Sequence, residues 1–281
     1  MNKKTLFYKC FLFFFLKKMF KIIFLLLCGF LLVISHKSSS LKISSIRTSK
    51  IINGHLTTIE KFPFLVSLQY NGTFFNHSVV HFCCGNIISE YWILTAAQCM
   101  KARNINNFHI RGGSTKYFKD GEVYKPAEII IHPKFIDAQI GYDIALIKLS
   151  TGVLFNDRIK PIKLPTADMI IKDNTLLDIA GWGKFDEIHL LSNSLRETQV
   201  AKINNRVCEY VYGNGSIKED TFCVYKNGYG PCVGDTGSPA KLNDILFGMA
   251  SWSYSCGYNY PTAYTNLLSY ITWIKNVTGI V

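Results

Sequence analysis

Short apolar runs separated by turn-forming residues recur along the chain from position 51 onward. They are rich in Val, Ile, Phe and Tyr, and they include FPFLVSLQY, YWILTAA, AEIIIH, DIALIKL, TLLDIAGWG and LFGMASWS. Runs of this length and composition at this spacing predict antiparallel strands rather than alternating strands and helices. We therefore expect an all-β body built as a barrel or a sandwich.

The pattern changes near the end of the chain. In the segment LLSYITWIKNV, the apolar residues Leu267, Tyr270, Ile271 and Ile274 recur with the helical period and fall on one face. The sequence therefore predicts an amphipathic helix at about 267–277 that packs against the β body.

The first fifty residues follow neither pattern. They hold two apolar runs, at 10–16 and 22–34, which Lys17 and Lys18 separate. The second run follows a short basic start at Met19, and it is too short to span a bilayer comfortably. This arrangement is typical of a signal peptide, with Met19 as an alternative start of the protein.

We therefore expect a leader over 1–35, a short connecting segment over 36–50 and the main folded domain over 51–281. The leader predicts a secreted, extracellular protein without a stable membrane anchor. One long anchor formed by both apolar runs is the alternative interpretation.

The positive charge of the chain is concentrated in the leader. The whole sequence has a formal net charge of +12, from 31 basic and 19 acidic residues. Ten of the basic residues and none of the acidic ones lie in the first fifty, which leaves 21 and 19 for the rest. A nucleic-acid partner is not expected, because phosphate binding needs a concentrated basic face on the working domain.

The cysteine spacing predicts disulfides rather than a metal site. No CxxC pair and no His/Cys cluster has zinc spacing, so we expect neither a metal nor a cofactor. The seven cysteines after position 50 predict disulfides with one thiol left over. They are Cys83, Cys84, Cys99, Cys208, Cys223, Cys232 and Cys256. Glycosylation sequons, which agree weakly with secretion, begin at Asn71, Asn76, Asn214 and Asn276.

Six motifs in a fixed order then suggest a family. They are SKIING, HFCCGNIISEYWILTAAQC, DIALIKL, AGWG, CVGDTGSP and SWSYSC. From Ile51 to about Val277 the chain resembles the chymotrypsin-like (trypsin-type) serine proteases. The resemblance implies two packed six-stranded antiparallel β-barrels with a C-terminal α-helix. The first barrel is expected at about 51–160, the second at about 161–266 and the helix at about 267–277.

The resemblance places Gln98, Asp143 and Thr236 where the family has its catalytic histidine, aspartate and serine. A primary amide accepts no proton near neutral pH, so Gln98 cannot act as a general base. Thr236 is internal and lacks the N-terminal amine that activates threonine nucleophiles elsewhere. We therefore expect a degenerate triad and no peptidase activity.

A relocated catalytic histidine is the alternative source of a base. The candidates after position 50 are His55, His77, His81, His109, His132 and His189. His81 is the nearest to the motifs, and the resemblance implies a structural role for it.

The substrate pocket also departs from the trypsin pattern. The resemblance places Gly230 at the pocket floor, where a trypsin-type enzyme has an aspartate. Ser253 and Thr262 occupy wall positions that are often glycine in the family. A neutral floor and larger walls predict a narrowed or closed slot without tryptic specificity.

The segment CVGDTGSP, at 232–239, is called the nucleophile loop, and the resemblance implies that its other parts are retained. The backbone N–H groups of Gly234 and Thr236 are expected to form a remnant of the oxyanion hole. Ser238 replaces a glycine of the family and would distort the loop if that position needs a positive φ.

The activation machinery is retained as well. The resemblance implies that residues 51–281 form a trypsin-like peptidase domain and that residues 36–50 form a propeptide. It also implies cleavage between Lys50 and Ile51, which removes the propeptide. It also implies an ion pair between the new amino terminus of Ile51 and Asp235.

The family pattern also implies which cysteines are joined. Cys84 then has no partner, and it is either a buried inert thiol or the site of an intermolecular disulfide. The expected pairs are Cys83–Cys99, Cys208–Cys223 and Cys232–Cys256.

The phrase SEYWILTAA closely resembles mite digestive trypsins, the group 3 allergens. Together with the degenerate triad, it is similar to the scabies mite inactivated protease paralogues. That resemblance implies a secreted protein of the gut lumen that binds host proteins, including complement components, and inhibits the cascade. Two alternatives remain: a regulatory homologue with a different target, and a weak serine endopeptidase of the same family.

Overall fold

Two antiparallel sheets dominate the part of the chain that the computed structural model describes, which is residues 54–74, 77–184 and 191–280. These residues all belong to one compact unit. Their strands are β1 (His55–Leu56), β2 (Leu65–Phe74), β3 (His77–Ile87), β4 (Trp92–Thr95), β5 (His109–Gly112), β6 (Glu122–Tyr124), β7 (Pro126–Ile131), β8 (Ala145–Leu149), β9 (Leu176–Gly181), β10 (Arg196–Ile203), β11 (Thr221–Tyr225), β12 (Pro239–Leu242), β13 (Ile245–Trp252) and β14 (Thr262–Asn266).

The first sheet has the order β6-β5-β2-β3-β4-β8-β7. Only Lys125 separates β6 from β7, so the two segments form one interrupted strand. One half pairs with β5 and the other with β8, which closes the sheet into a six-stranded barrel. Closure leaves the barrel without the long free edges of an open sheet.

The second sheet closes in the same way. Its ring runs β9-β10-β11-β14-β13-β12 and returns to β9, and β1 is added to the outside of β10. The prediction of two six-stranded antiparallel barrels is therefore confirmed.

The start of the described chain belongs to the second barrel, although residues 51–160 were expected to form the first. In the β1–β10 pair, His55 faces Glu197 and Leu56 faces Arg196. His55 Nε2 lies 2.9 Å from Glu197 Oε1, and Arg196 Nη1 donates to the carbonyl oxygen of Gly54 at 3.0 Å. These contacts hold the first described residues against the C-terminal half of the domain.

The side chains that gave the apolar pattern fill the two barrels. The larger cluster includes Leu65, Ile93 and Leu146 from the first barrel. A separate cluster, with Leu177 and Phe222, fills the second barrel. Alternation of buried and exposed residues is expected where one strand face is solvated. All four residues of β4 are buried, so both faces of this strand are covered.

The described chain contains three α-helices: α1 (Ala97–Met100), α2 (Asn205–Tyr212) and α3 (Ile271–Thr278). The C-terminal helix was predicted to begin at about 267, but Leu267–Tyr270 forms a 3-10 turn that precedes α3. The Asn266 side chain accepts a hydrogen bond from the N–H of Leu268 and caps this tight turn. Leu267, Tyr270 and Ile274 are buried in the larger cluster, so the predicted packing face is present.

No helix in the described part of the chain is long and apolar enough to cross a membrane.

The three expected disulfides are present, and they join Cys83 to Cys99, Cys208 to Cys223 and Cys232 to Cys256. Cys84 is a free thiol with no exposed surface. Burial raises the pKa of this thiol, which keeps it protonated and unreactive. A fully buried side chain cannot reach a second molecule, so the structure favours the inert thiol over the intermolecular disulfide.

Candidate functional site

Residues 98 and 143 meet where the two barrels touch. Gln98 lies in α1, directly after β4, and Asp143 lies two residues before β8. The backbone N–H of Gln98 donates to Asp143 Oδ1 at 2.9 Å, and Gln98 Nε2 donates to Asp143 Oδ2 at 2.6 Å. Ser251, from β13 of the second barrel, donates its hydroxyl to Asp143 Oδ2 at 2.5 Å. Folding therefore assembles this part of the degenerate triad.

The Gln98 amide uses its nitrogen to hold the site together. Besides Asp143, Nε2 donates to the carbonyl oxygen of Ser251 at 2.9 Å. Both partners are acceptors, so the nitrogen rather than the oxygen of the amide must face them. Both amide hydrogens are thereby engaged, and only Oε1 remains. An amide oxygen is too weak a base to take a proton from a hydroxyl.

The carboxylate of Asp143 is buried, and the groups that donate hydrogen bonds to it are neutral. Burial raises its pKa, and hydrogen bonds from Ser251 and Gln98 act in the opposite direction. Its backbone carbonyl accepts a further hydrogen bond from Thr265 Oγ1 at 2.9 Å. The glutamine therefore replaces the structural part of the histidine's role, which is to hydrogen-bond the buried aspartate.

Thr236 lines the same cleft as Gln98. Its backbone carbonyl accepts a hydrogen bond from the N–H of Cys84 at 2.8 Å, which fixes the loop against the first barrel. Within the described residues, no hydrogen bond joins the Thr236 hydroxyl to Gln98 or to any histidine. Among the residues that the structure describes, none therefore serves as a base that would increase the nucleophilicity of this hydroxyl.

His81 is a structural residue in this molecule. Its Nδ1 lies 2.7 Å from Ser67 Oγ, and its Nε2 lies 2.9 Å from the carbonyl oxygen of Gly234. Because Gly234 can only accept there, Nε2 carries the proton and Nδ1 accepts from the serine. Burial lowers the pKa of His81 to about 4. The ring thus links the first barrel to the nucleophile loop as a neutral group.

The other candidate histidines that the structure describes do not line this cleft. His189 lies outside the described residues, and no described histidine lines the cleft. Their neighbours are Glu197 for His55, Phe118 for His77, Gln69 for His109 and Tyr142 for His132.

Asp235 is buried beneath the nucleophile loop. Its carboxylate accepts hydrogen bonds from the N–H of Gly183 at 2.7 Å and of Cys232 at 3.0 Å. Burial raises the pKa of this carboxyl to about 7, although both hydrogen bonds lower it. Its predicted partner Ile51, like the predicted cleavage residue Lys50, lies outside the described residues.

The glycines of the AGWG segment make room for this aspartate. A Cβ on Gly181 or Gly183 would overlap the Asp235 carboxylate. Sequence reasoning used this segment only as a family marker, whereas the structure gives the physical reason for its glycines.

The serine at position 238 does not distort the nucleophile loop. The positive φ angles of this loop belong to Gly234, at 100°, and Gly237, at 83°. Ser238 accepts a hydrogen bond from the N–H of Ala250 and donates its own N–H to the carbonyl oxygen of Asp235, both at 2.8 Å. The condition for distortion, a positive φ at position 238, is absent.

Gly237 is the position in this loop where a side chain would be most costly. A Cβ there would overlap the carbonyl oxygen of Cys84 and lie 2.8 Å from Thr95 Oγ1. We expect Gly237→Ala to lower the free energy of unfolding by about 2–5 kcal/mol, as the sum of left-handed strain and overpacking. Chemical denaturation measures the loss.

Gly215→Ala is the matched control. Gly215 also has a positive φ, of 75°, but nothing lies within 4 Å of a Cβ at this position. Its alanine variant should lose only about 1–2 kcal/mol, from backbone strain alone. Equal losses in the two variants would contradict the contact with Cys84 as the cause.

The cleft that Gln98 and Thr236 line has a volume of about 330 Å³. Ser253 and Thr262, the predicted wall residues, both line it, whereas Gly230 is buried and does not. A Cβ on Gly230 would lie 3.1 Å from Gly257 Cα and 3.7 Å from Thr262 Oγ1. The floor position therefore packs against its neighbours and does not face the cleft.

An aromatic cluster that was not predicted lies beside the cleft, and two of its members, Trp252 and Tyr254, line the cleft. The Tyr212 ring lies 4.8 Å from Trp252 and 4.9 Å from Tyr254, and Tyr254 lies 5.8 Å from Tyr260. The Tyr212 hydroxyl also donates to the carbonyl oxygen of Pro261. The alternating aromatics of SWSY were a signal for part of this cluster, but Tyr212, from α2, joins it through a long-range contact.

The family model described as Trypsin matches residues 51–274 of the chain. The chain belongs to the trypsin family. It is 32% identical to Trypsin 5G1 of Aedes aegypti over 242 residues, which cover 84% of this chain and 88% of the relative. It is 33% identical to Trypsin of Phaedon cochleariae over 237 residues, covering 82% and 89%. It is 32% identical to Tryptase of Mus musculus over 243 residues, covering 80% and 88%.

Membership of the trypsin family confirms the family that the six motifs predicted, and the match begins at the predicted new amino terminus, Ile51. The names of the relatives describe proteases. The residues that the motif resemblance assigns to the base and nucleophile positions are Gln98 and Thr236.

Proposed function

We propose that this trypsin-family protein is a secreted serine protease homologue without peptidase activity and that it acts by binding. One observation carries the proposal. Gln98 directs both amide hydrogens to Asp143 and Ser251, so the position that holds the general base in a working triad offers no basic nitrogen to Thr236.

The residues at positions 98, 236 and 238 are compatible with a well-packed scaffold. This favours a binding role over a protein that is losing its fold as well as its activity. The donors to Asp143, the three disulfides and the loop contacts of Ser238 are all present. A fold that is kept while its chemistry is removed has its function in its surface.

The names of the relatives favour the second candidate, a weak endopeptidase. In enzymes with this triad, loss of one member leaves a rate only about 10³–10⁴ above the uncatalysed reaction. Here both the base and the serine are replaced. We therefore place catalytic silence ahead of weak proteolysis.

Secretion is supported by the predicted leader and by the three disulfides, which persist in oxidising compartments. We propose a host defence protein of the complement cascade as the target. The support for this target is the resemblance to the inactivated mite paralogues.

A serum pull-down tests the target without assuming it. The purified, immobilised protein should capture one or more complement components from human serum, identified by mass spectrometry. Added to serum, it should also inhibit complement haemolysis in a dose-dependent manner. The same protein denatured with its disulfides reduced is the control. No inhibition in any complement pathway at micromolar protein would contradict this target, and capture of another serum protein would favour the regulatory alternative.

A further inference from the structure

A groove on the first barrel is larger than the degenerate substrate cleft. Its volume is about 740 Å³, compared with about 330 Å³ for the cleft. No residue of the degenerate triad lines it. We call it the basic groove, and its main lining residues are Tyr70, Asn71, Arg103, Phe108, His109 and Lys125.

The charge of the basic groove has one sign. Arg103 and Lys125 are its cations, and none of its described lining residues is acidic. Burial and the neighbouring Arg111 lower the pKa of His109, so this ring is neutral at pH 7. The asparagine side chains of the lining add neutral donors. The groove therefore complements a ligand with carboxylate groups.

Contacts with the protein position the guanidinium of Arg103 for such a ligand. Its Nε donates to the carbonyl oxygen of Cys99 at 3.3 Å, and its guanidinium carbon lies 4.1 Å from the centre of the Phe82 ring. These contacts fix the plane of the guanidinium and leave its two terminal nitrogens without a partner among the described residues. A fixed guanidinium with two free donors suits bidentate binding of a carboxylate.

A free strand edge borders the same groove. On one side, β2 pairs with β3 from Leu65 to Phe74. On its other side, β2 pairs with β5 only over residues 67–69. From Tyr70 to Phe74 this outer edge meets no strand of the described chain, and Tyr70 and Asn71 also line the groove. An unpaired edge can accept an added strand through its main-chain groups.

We propose that the basic groove binds an extended acidic segment of a partner protein, which adds as a strand to the outer edge of β2 and places carboxylates against Arg103 and Lys125. Alternate side chains of an added strand point to the same side, so every second residue of the segment can carry a carboxylate. The chain's own leader has the wrong charge for this groove, since its first fifty residues hold no acidic residue. This proposal rests on the proposed binding function and names the chemistry of the partner.

The test uses the full secreted protein and a fluorescent peptide of about ten residues that alternates Glu and Val. N-linked sugars are removed first, because the Asn71 sequon lies in the groove. Fluorescence anisotropy should show saturable binding that weakens as salt rises. Arg103→Gln combined with Lys125→Gln should raise Kd at least about five-fold.

Lys275→Gln is the control variant, because Lys275 is exposed and lies in α3, away from the groove lining. It should leave Kd unchanged, and both variants should unfold at the temperature of the parent protein. Two peptide controls separate the two parts of the proposal. Replacing Glu by Gln should abolish most of the binding, and methylating every second backbone nitrogen should do the same by removing main-chain donors.

Equal binding of the Gln peptide would overturn the role of charge, and unchanged binding of the N-methylated peptide would overturn strand addition. Binding of a heparin oligosaccharide without binding of the acidic peptide would overturn the choice of partner. The substitutions leave Gln98 and Thr236 in place, so a peptidase assay on the same samples reports separately on catalytic silence. A protein that binds no peptide and cleaves none would overturn only the groove proposal.

Discussion

Replacing Gln98 by histidine and Thr236 by serine in one chain should raise kcat/KM for peptide substrates by at least about a thousand-fold over the unmodified protein. The site already holds Asp143 in place, with its Oδ2 2.6 Å from the side-chain nitrogen of residue 98. A histidine there can donate one ring nitrogen to Asp143 and present the other to the serine. The measurement is steady-state cleavage of a broad peptide library, after sequencing has shown Ile51 at the amino terminus.

The single variants are the controls for this result. Gln98→His alone leaves a hindered hydroxyl, and Thr236→Ser alone leaves no base, so neither should gain more than a small fraction of the activity. Adding Asp143→Asn to the double variant should cost about 10⁴-fold, as in enzymes that use this triad. A folded double variant that stays inactive on every peptide would show that the loss of catalysis extends beyond these two residues. Full activity of Thr236→Ser alone would show that another base serves the site.

Cleavage between Lys50 and Ile51 should remove a large pH dependence of stability that comes from Asp235. Burial raises the pKa of this carboxyl to about 7 in the folded protein, from its ordinary value of 3.8. The folded state therefore binds the proton more tightly than the unfolded chain does. The contribution of Asp235 to the free energy of unfolding is fully present below about pH 4. It is lost as the pH rises through about 7, and the total loss is about 4 kcal/mol.

An ammonium group at Ile51 would pair with the carboxylate and lower its pKa, so the cleaved protein should lack this loss. Denaturant unfolding of the uncleaved and the cleaved protein at pH 4.5 and pH 8 measures the difference. Asp235→Asn in the uncleaved protein should also remove the loss, because the amide does not titrate. The burial of Asp143 raises its pKa in the same direction in both forms, so it cancels in this comparison. An equal pH dependence in the two forms would contradict the ion pair.

The sequence predicted the fold through short motifs that can be recognised without knowledge of long-range contacts. The apolar runs predicted the strands, and the family resemblance that the ordered motifs carry implied the two barrels and the three disulfides. The same resemblance pointed to Gln98, Asp143 and Thr236, and the structure brings all three to one place. Gln98 and Asp143 bond directly, and Thr236 lines the same cleft as Gln98.

Features made by long-range pairing were not predictable in the same way. The period of a strand shows which side chains share a face, but not which strand is its neighbour. The addition of β1 to the second barrel is such a case. The basic groove is another, because Tyr70, Arg103 and Lys125 come from separate segments and no motif connects them. The 3-10 turn before α3 was missed because its apolar spacing also fits an α-helix.

Incubation of the unmodified protein with a broad peptide library tests catalytic silence most directly. The protein is first cleaved so that Ile51 is the amino terminus, and a preparation of the Asp143→Asn variant, made in parallel, serves as the blank. We expect no cleavage above this blank at any peptide bond, because Gln98 offers no basic nitrogen to the Thr236 hydroxyl. Reproducible turnover by the unmodified protein above the blank would contradict the account.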